Sequence, residues 1–399
     1  MMSMEIRQIE DAHYVKSYAR KPISIVRGSG VLVYDAEGRE YVDCSGGYGT
    51  CIVGHAHPRV AQAISTQSKR LISCHGSTFN DARAELLSKL LEITPKGLNR
   101  FFLSNSGAEA VECAIKLARK ATGRRKIVAI RGGYHGKTYG ALSATWDSKY
   151  RKNFEPLVPE FQHIPFGNAE AAKEMIAADT AAVLFEPIQG ESGVRVPERD
   201  WLPLLQDLAQ ESGALLISDE IQSGFGRTGK MFACQHWEVT PDIICMGKGI
   251  ASGLPIGITA SIDELAETLA VGEHTTTFGG NPVVCAAASA TIEVLLEEGL
   301  VENAACVGGY MKAQLLSLQK EFSIIREVRG LGLMLGAELR FDVHAIIQAA
   351  LEKGVLMLDA GRNVLRFLPP LCIRESEVDE VTQVLRYTLE KEELARLPS

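Results

Sequence analysis

Two stretches decide how this chain is read: Ala214-Leu-Leu-Ile-Ser-Asp219-Glu-Ile-Gln222 and Ile243-Ile-Cys-Met-Gly-Lys248-Gly249. Each is a short apolar run that ends abruptly at a charged or glycine-flanked position. Too short for a helix and too continuous for a half-exposed strand, such a run reads as a strand buried on both faces. Similar runs recur at residues 100–103, 127–130, 182–185 and 256–260, with amphipathic helical patterns at 108–120, 169–177 and 201–211. Alternating strands and helices predict an α/β fold, with a central, largely parallel sheet and helices on both faces. In such sheets ligands bind beyond the carboxyl ends of the strands, which is where Asp219 and Lys248 fall.

The pattern changes after Asn281-Pro282. Residues 283–298 and 301–322 read as long helices, followed by strands at 324–328 and 332–339, a helix at 343–353, short strands at 355–358 and 364–367, and a last helix at 375–393. That is an α+β unit. Near the N-terminus, residues 31–34 and 40–43, joined by Asp35-Ala-Glu-Gly38, predict a hairpin that must dock on another sheet. The expected organisation is an N-terminal segment (1–49) packing with a small domain (283–399), around a large domain (50–282).

Charge and cysteine content narrow the function. The 399 residues carry 42 Lys plus Arg against 49 Asp plus Glu, a formal charge of -7 from interspersed groups. No basic field for nucleic acid is present, so a small-molecule enzyme is the expectation. The nine cysteines are scattered without any C-x-x-C pair, which fits reduced thiols in a cytoplasmic protein. Residues 1–11 lack the apolar core of a signal peptide, and no apolar run reaches the roughly 18 residues of a membrane span.

A lysine at a glycine-flanked strand end can act as an amine nucleophile if its surroundings hold it unprotonated. Paired with a carboxylate at a neighbouring strand end, Lys248 suits pyridoxal 5'-phosphate: the lysine forms the Schiff base and Asp219 holds the pyridine nitrogen protonated. The phosphate needs a helix N-terminus with free amides. Asn105-Ser106-Gly107-Ala108-Glu109 provides one after the strand at 100–103, although Ser106 and Glu109 also stand in the relation of a capping box. The two readings are compatible. Gly132-Gly-Tyr134-His135-Gly136 places an aromatic on another strand-end loop, Glu186-Pro-Ile-Gln-Gly-Glu191 carries two acids to the same rim, and His274-Thr-Thr-Thr277 offers hydroxyls. Two motifs lead elsewhere. Gly224-Phe-Gly-Arg-Thr-Gly229 matches a dinucleotide fingerprint but opens no helical pattern, and His55-Ala-His57 sits between Gly54 and Pro58 in a turn, so no metal site is expected.

Taken in order, Ser106-Gly-Ala-Glu-Ala110, Tyr134-His-Gly136, Glu186-Pro-Ile-Gln-Gly-Glu191, Asp219-Glu-Ile-Gln222, Gly247-Lys248 and Thr277-Phe-Gly-Gly-Asn-Pro282 resemble the class III pyridoxal-phosphate aminotransferases over nearly the whole chain. The resemblance implies the fold-type I architecture and a homodimer with composite active sites. It further implies that Lys248 and Asp219 are catalytic. Gln222 would bond the cofactor's phenolic oxygen, Tyr134 stack on its ring beside His135, Ser106, Gly107 and Ala108 hold the phosphate, and Thr277 reach it from the other subunit.

In the ornithine and acetylornithine branch, the resemblance implies a switch in which an acid pairs with an arginine and moves aside for a carboxylate. Glu191 and Arg366 match those positions, and Tyr18, Tyr48 and Glu186 match residues of the substrate pocket. Lys137 departs from the arginine expected after His-Gly: it keeps the charge but lacks the planar fork. Residues 142–151, 325–330 and 364–371 are most similar to the lineage that acts on an acidic amino-group carrier protein in lysine and arginine biosynthesis. There the substrate is a lysine or ornithine whose blocked α-amine hangs from the carrier, and the amino acceptor is 2-oxoglutarate; because such carriers are acidic, Lys149, Arg151 and Lys152 read either as a docking patch or as a solvated basic face. N-acetylornithine is the alternative donor. From other classes, a metal-dependent hydrolase using His55 and His57 and a non-catalytic relative stay open at this point.

Overall fold

The structure, a computed structural model, describes residues 3–396. Its centre is a seven-stranded sheet in the order Arg100–Ser104, Gly257–Ser261, Ile243–Met246, Leu215–Asp219, Thr180–Phe185, Lys126–Ile130 and Phe161–Ile164. Every neighbouring pair is parallel except those made by Gly257–Ser261, which runs antiparallel to both its neighbours. Lys126–Ile130 and Thr180–Phe185 are buried along their whole length, which is why they read as unbroken apolar runs.

Side-chain alternation divides these strands between two helical layers. Ile127, Ala129, Ala182 and Leu184 pack with Ala110, Ala114, Ile115 and Ala118 of helix Gly107–Thr122. Val128, Ile130, Val183 and Phe185 pack on the other side with Trp201, Leu202 and Leu205 of helix Trp201–Ser212. Helix Gly107–Thr122 begins where the Ser106 hydroxyl accepts from the Glu109 amide at 3.3 Å, and ends at Gly123, whose φ of +68° only glycine adopts freely.

Among the elements outside the sequence expectation, three show why they were missed. Phe161–Ile164 is an edge strand with polar residues between apolar ones, so it lacks the continuous run of its neighbours. Helix Asp81–Ile93, capped by Asn80, buries Ala82, Leu86 and Leu90, a narrow stripe among charged residues, and packs on helix Pro282–Glu297. Helix Ser3–His13 is mostly exposed. Pro282–Glu297, expected to open the C-terminal unit, also packs on helix Pro58–Ser68.

The C-terminal residues form an antiparallel sheet, Ile325–Leu331, Met334–Leu339, Val364–Phe367 and Leu358–Ala360, covered by helices Leu300–Glu321, His344–Glu352 and Glu375–Arg396. The N-terminal hairpin forms as expected, Leu32–Asp35 against Glu40–Asp43, with Ile25–Ser29 added at its edge. Its turn is tied by Asp35, whose carboxylate accepts from the Glu37 and Arg39 amides at 3.1 and 2.8 Å. Glu40–Asp43 then pairs in parallel with Val355–Leu356, so the two ends of the chain share one sheet. No helix among the described residues is long and apolar enough to cross a membrane.

Candidate active site

A cavity of about 310 Å³ opens at the carboxyl edge of the central sheet, where four parallel strands hand over to loops. Gly107 and Ala108, at the start of helix Gly107–Thr122, form one wall. A side chain at Gly107 would collide with Ile221 at 2.7 Å, so glycine is what lets the helix start approach the loop after Asp219. The Tyr134–Lys137 loop forms a second wall, and Gly136, with φ of +136° and Ala108 2.7 Å from any added Cβ, is required for its course.

Asp219 and His135 are the most deeply buried of the polar side chains that line the cavity. Asp219 Oδ2 lies 2.7 Å from His135 Nδ1, and its Oδ1 accepts from the Ile221 amide at 3.1 Å. Burial lowers the His135 pKa, but the hydrogen bond and charge of Asp219 more than offset it, leaving the imidazole above its ordinary value. His135 Nε2 is buried without a partner. Glu186, at the end of Thr180–Phe185, accepts from the Tyr134 amide at 2.8 Å and the Gly190 amide at 3.3 Å, and burial pushes its carboxyl up to about 7.

Lys248 follows Ile243–Met246 and carries φ of +46°, a left-handed conformation unusual for a side chain of its size. Burial holds its ammonium below the usual lysine range, while Glu191, Glu186 and Asp219 oppose that shift and Arg366 adds to it. A lysine eased toward its neutral form is a competent amine nucleophile and proton carrier.

Arg366 reaches the site from strand Val364–Phe367. Only 1% exposed, it donates through Nη1 to Glu191 Oε1 at 2.6 Å and to Gln222 Oε1 at 3.5 Å, and its Nε is unpartnered. Burial raises the Glu191 pKa, but Arg366 and then Lys248 outweigh it, so Glu191 stays ionised below the usual carboxylate range.

The structure thus brings together at one cavity Gly107, Ala108, Tyr134, His135, Lys137, Glu186, Asp219, Gln222 and Lys248, with Glu191 and Arg366 joined to it through Gln222 and Lys248. Ser106 does not line the cavity; its hydroxyl donates to Glu109 Oε2 at 3.0 Å in the capping box. Tyr48 is exposed on the left-handed turn at residues 46–49, close enough for Arg366 and Glu191 to act on its phenol. Tyr18 and Thr277 are exposed and line no part of this cavity.

Sequence reasoning passed over Ile221, two residues after Asp219, and Tyr150. The Tyr150 ring meets Tyr134 edge-on with centroids 5.3 Å apart, and the Lys137 ammonium lies 5.4 Å from its centroid. It also assigned nothing to Glu220, which points away from the cavity and accepts from Ser223 Oγ and the Ala233 and Cys234 amides at 2.6, 3.0 and 2.7 Å, folding the next loop. The two histidines of the metal alternative are engaged separately: His55 with Asp43 at 2.8 Å, and His57 with Glu298 at 3.2 Å while capping the helix behind it.

An unpartnered imidazole nitrogen, a buried carboxylate, a half-buried amine and a helix start cleared by glycine make a donor set suited to a phosphorylated heteroaromatic aldehyde. The comparisons agree. A family model described as aminotransferase class-III matches residues 14–389. The acetylornithine aminotransferase of Methanopyrus kandleri is 46% identical over 379 residues, covering 94% of this chain and 97% of that protein. A LysW-aminoadipate semialdehyde transaminase of Deinococcus radiodurans is 43% identical over 93% of this chain and 87% of its own length. An ornithine aminotransferase of Toxoplasma gondii, with pyridoxal phosphate at partial occupancy in its active site, superposes with a TM-score of 0.94 at 32% identity, over 98% of this chain and 96% of that one. With the cavity's lining, the fold and the relatives in agreement, the chain belongs to the class III aminotransferases and works with pyridoxal 5'-phosphate.

Proposed function

We propose that this aminotransferase moves the terminal amino group of an α-N-blocked ornithine or lysine to 2-oxoglutarate, in arginine or lysine biosynthesis. The observation that carries the reading is the Glu191–Arg366 pair at 2.6 Å beside Lys248. A site that takes an ω-amine in one half-reaction and glutamate's α-amine in the other must present two different charges at one place. With Glu191 against it, Arg366 is neutralised for the ω-amino donor; with Glu191 aside, its guanidinium binds glutamate's α-carboxylate.

Bound pyridoxal 5'-phosphate supplies a carbonyl that condenses with amines and a conjugated ring that accepts electrons. Lys248 would carry it and move the proton from the donor's amine-bearing carbon, since burial favours its neutral form. Asp219 would hold the ring nitrogen protonated, the amides of Gly107 and Ala108 would bind phosphate, Gln222 the phenolic oxygen, and Tyr134 would cover the ring. Lys137 would meet the donor's α-carboxylate, and Tyr48, beside Arg366 and Glu191, would border the donor; Tyr18 would have to move in from its exposed position to join them. The large domain (50–282) would supply the cofactor groups and the small one (283–399, with 1–49) Arg366, the outermost residues 1–2 and 397–399 lying outside the described set.

A homodimer completes the site in this reading. Exposed Ile72, Phe79, Val271 and Phe278 lie along the segments around a second cavity, of about 510 Å³, that Thr276 lines. A second copy covering that surface would bury them and carry Thr277 to the neighbouring phosphate.

The block on the α-amine separates a carrier-linked donor from N-acetylornithine. The carrier-linked donor is the preferred reading, with docking drawing on Lys149, Arg151 and Lys152, and N-acetylornithine is the alternative; the exposed Lys149–Asp147 pair at 3.1 Å is weak enough for an acidic partner to displace. Steady-state rates with N-acetylornithine and with carrier-linked lysine and ornithine, 2-oxoglutarate as acceptor, decide this. Equal efficiency on free and carrier-linked forms defeats the docking patch, and failure with all three donors defeats the substrate reading.

A further inference from the structure

Glu191 sits in a tight turn whose backbone is held from several sides. Gln189 and Arg195 close it with paired backbone hydrogen bonds of 3.1 and 3.0 Å, and residues 190–194 loop between them. Gly193 and Val194 have φ of +102° and +53°, the second a conformation that a β-branched residue adopts only when its surroundings impose it. Three contacts do so. The Gly190 amide donates to Glu186 Oε2 at 3.3 Å, the Ser192 hydroxyl donates to the Gly132 carbonyl, and the Gly193 carbonyl accepts from Arg329 Nε at 2.8 Å.

Arg329 and Arg366 stand in one row of the C-terminal sheet. Gly336 is directly opposite Arg329 on one side and Arg366 on the other, so all three present the same face. The middle position has no side chain, and Val194 fills the space: a Cβ at Gly336 would lie 3.2 Å from Val194 Cβ. The turn is therefore seated between two guanidinium groups of a single rigid sheet. Arg366 holds the Glu191 side chain, while Arg329 holds the backbone two residues on. Arg329 is itself fixed, 14% exposed and paired with Glu327 and Glu338 at 2.7 Å each.

We propose that Arg329 is a positioning residue for Glu191. By pinning the Gly193 carbonyl it keeps the turn still, so that Glu191 leaves and rejoins Arg366 by side-chain rotation alone. It thereby sets the enzyme's preference between an ω-amino donor and glutamate. Without the pin, re-forming the Glu191–Arg366 pair must also order the turn, the pair weakens, and Arg366 stands open more often for glutamate's carboxylate. The inference rests on the two-substrate role proposed above for that pair.

The test measures half-reaction kcat/KM for N-acetylornithine and for glutamate in the holoenzyme, for wild type, Arg329→Gln, Glu191→Gln and the double variant. Arg329→Gln should raise the glutamate-to-donor ratio about tenfold, the low end of the scale of one hydrogen bond from a charged group. Glu191→Gln should raise it at least as far, and the double variant no further than Glu191→Gln alone, because no carboxylate remains to be positioned. Should Arg329→Gln fold poorly, Arg329→Lys keeps the charge but cannot reach Gly193 and both glutamates together, and should shift the ratio in the same direction. Glu338→Gln removes two ion pairs, with Arg326 and with Arg329, while leaving Arg329 paired with Glu327 and bonded to Gly193. It should lower the melting temperature with less than about a twofold change in ratio, so an equal change there overturns the proposal by making the effect one of general stability. An unchanged ratio in both Arg329 variants, or full additivity in the double variant, also overturns it. If Glu191→Gln itself leaves the ratio unchanged, the two-substrate reading of the pair has failed, and the role of Arg329 falls with it.

Discussion

Glu186→Gln probes the electrostatics of the cavity, because it preserves the shape of the side chain and removes its charge. Burial lifts the Glu186 carboxyl to about 7, with His135 opposing the rise and Asp219 adding to it. An unfolded glutamate ionises near about 4.3, so ionising this one in the folded chain costs about 4 kcal/mol more. The sign follows from proton uptake. The folded state binds the proton more tightly, so this contribution to stability is fully present below the unfolded pKa, is lost as pH rises through the folded value, and is constant above it. Glutamine has no such dependence. Its amide oxygen still accepts from the Tyr134 amide, but its NH2 then faces the Gly190 amide, a loss of about 1 kcal/mol. Wild type should therefore be the more stable protein near pH 4.5, by about 1 kcal/mol at most, and the variant the more stable near pH 8, by about 3 kcal/mol. Urea unfolding of the cofactor-free protein at fixed chain concentration measures the difference. A stability difference between the two proteins that does not change with pH refutes the argument, as does a variant less stable than wild type at pH 8.

Two further substitutions test assigned groups. Lys248→Ala should fold, yet lose turnover and the visible absorption of the bound cofactor; substantial activity in that variant sinks the assignment of the lysine. Thr277→Val should weaken cofactor binding about tenfold in equilibrium dialysis, the scale of one hydrogen bond to a charged oxygen, and unchanged affinity removes Thr277 from the composite site.

The strands that carry the catalytic groups were legible because burial on both faces leaves its mark directly on the chain. Residues 243–246 came out as a strand with those bounds, and Asp219 and Glu186 fell at strand ends as expected. The edge strand Phe161–Ile164 and helix Asp81–Ile93 left weaker marks, since each buries only part of its surface and the rest is free to be polar. Ser106 shows the limit at single residues. Its capping role was readable from the spacing to Glu109, but that the hydroxyl faces the glutamate rather than the cavity is a matter of side-chain geometry.

On its own the sequence determined the α/β plan, the cofactor and the placement of Asp219 and Lys248 at strand ends on one rim, because each depends on local periodicity and on residue type at strand ends. The Glu191–Arg366 pair was expected from the resemblance, but only the tertiary structure decided how the turn that carries Glu191 is held. Arg329, Gly336 and Arg366 are far from it along the chain, and their alignment exists only through the register of three antiparallel strands. A slip of one residue in that pairing would turn one guanidinium to the opposite face. No local pattern encodes such a register, since it is set by which hydrophobic faces close together when the sheet packs.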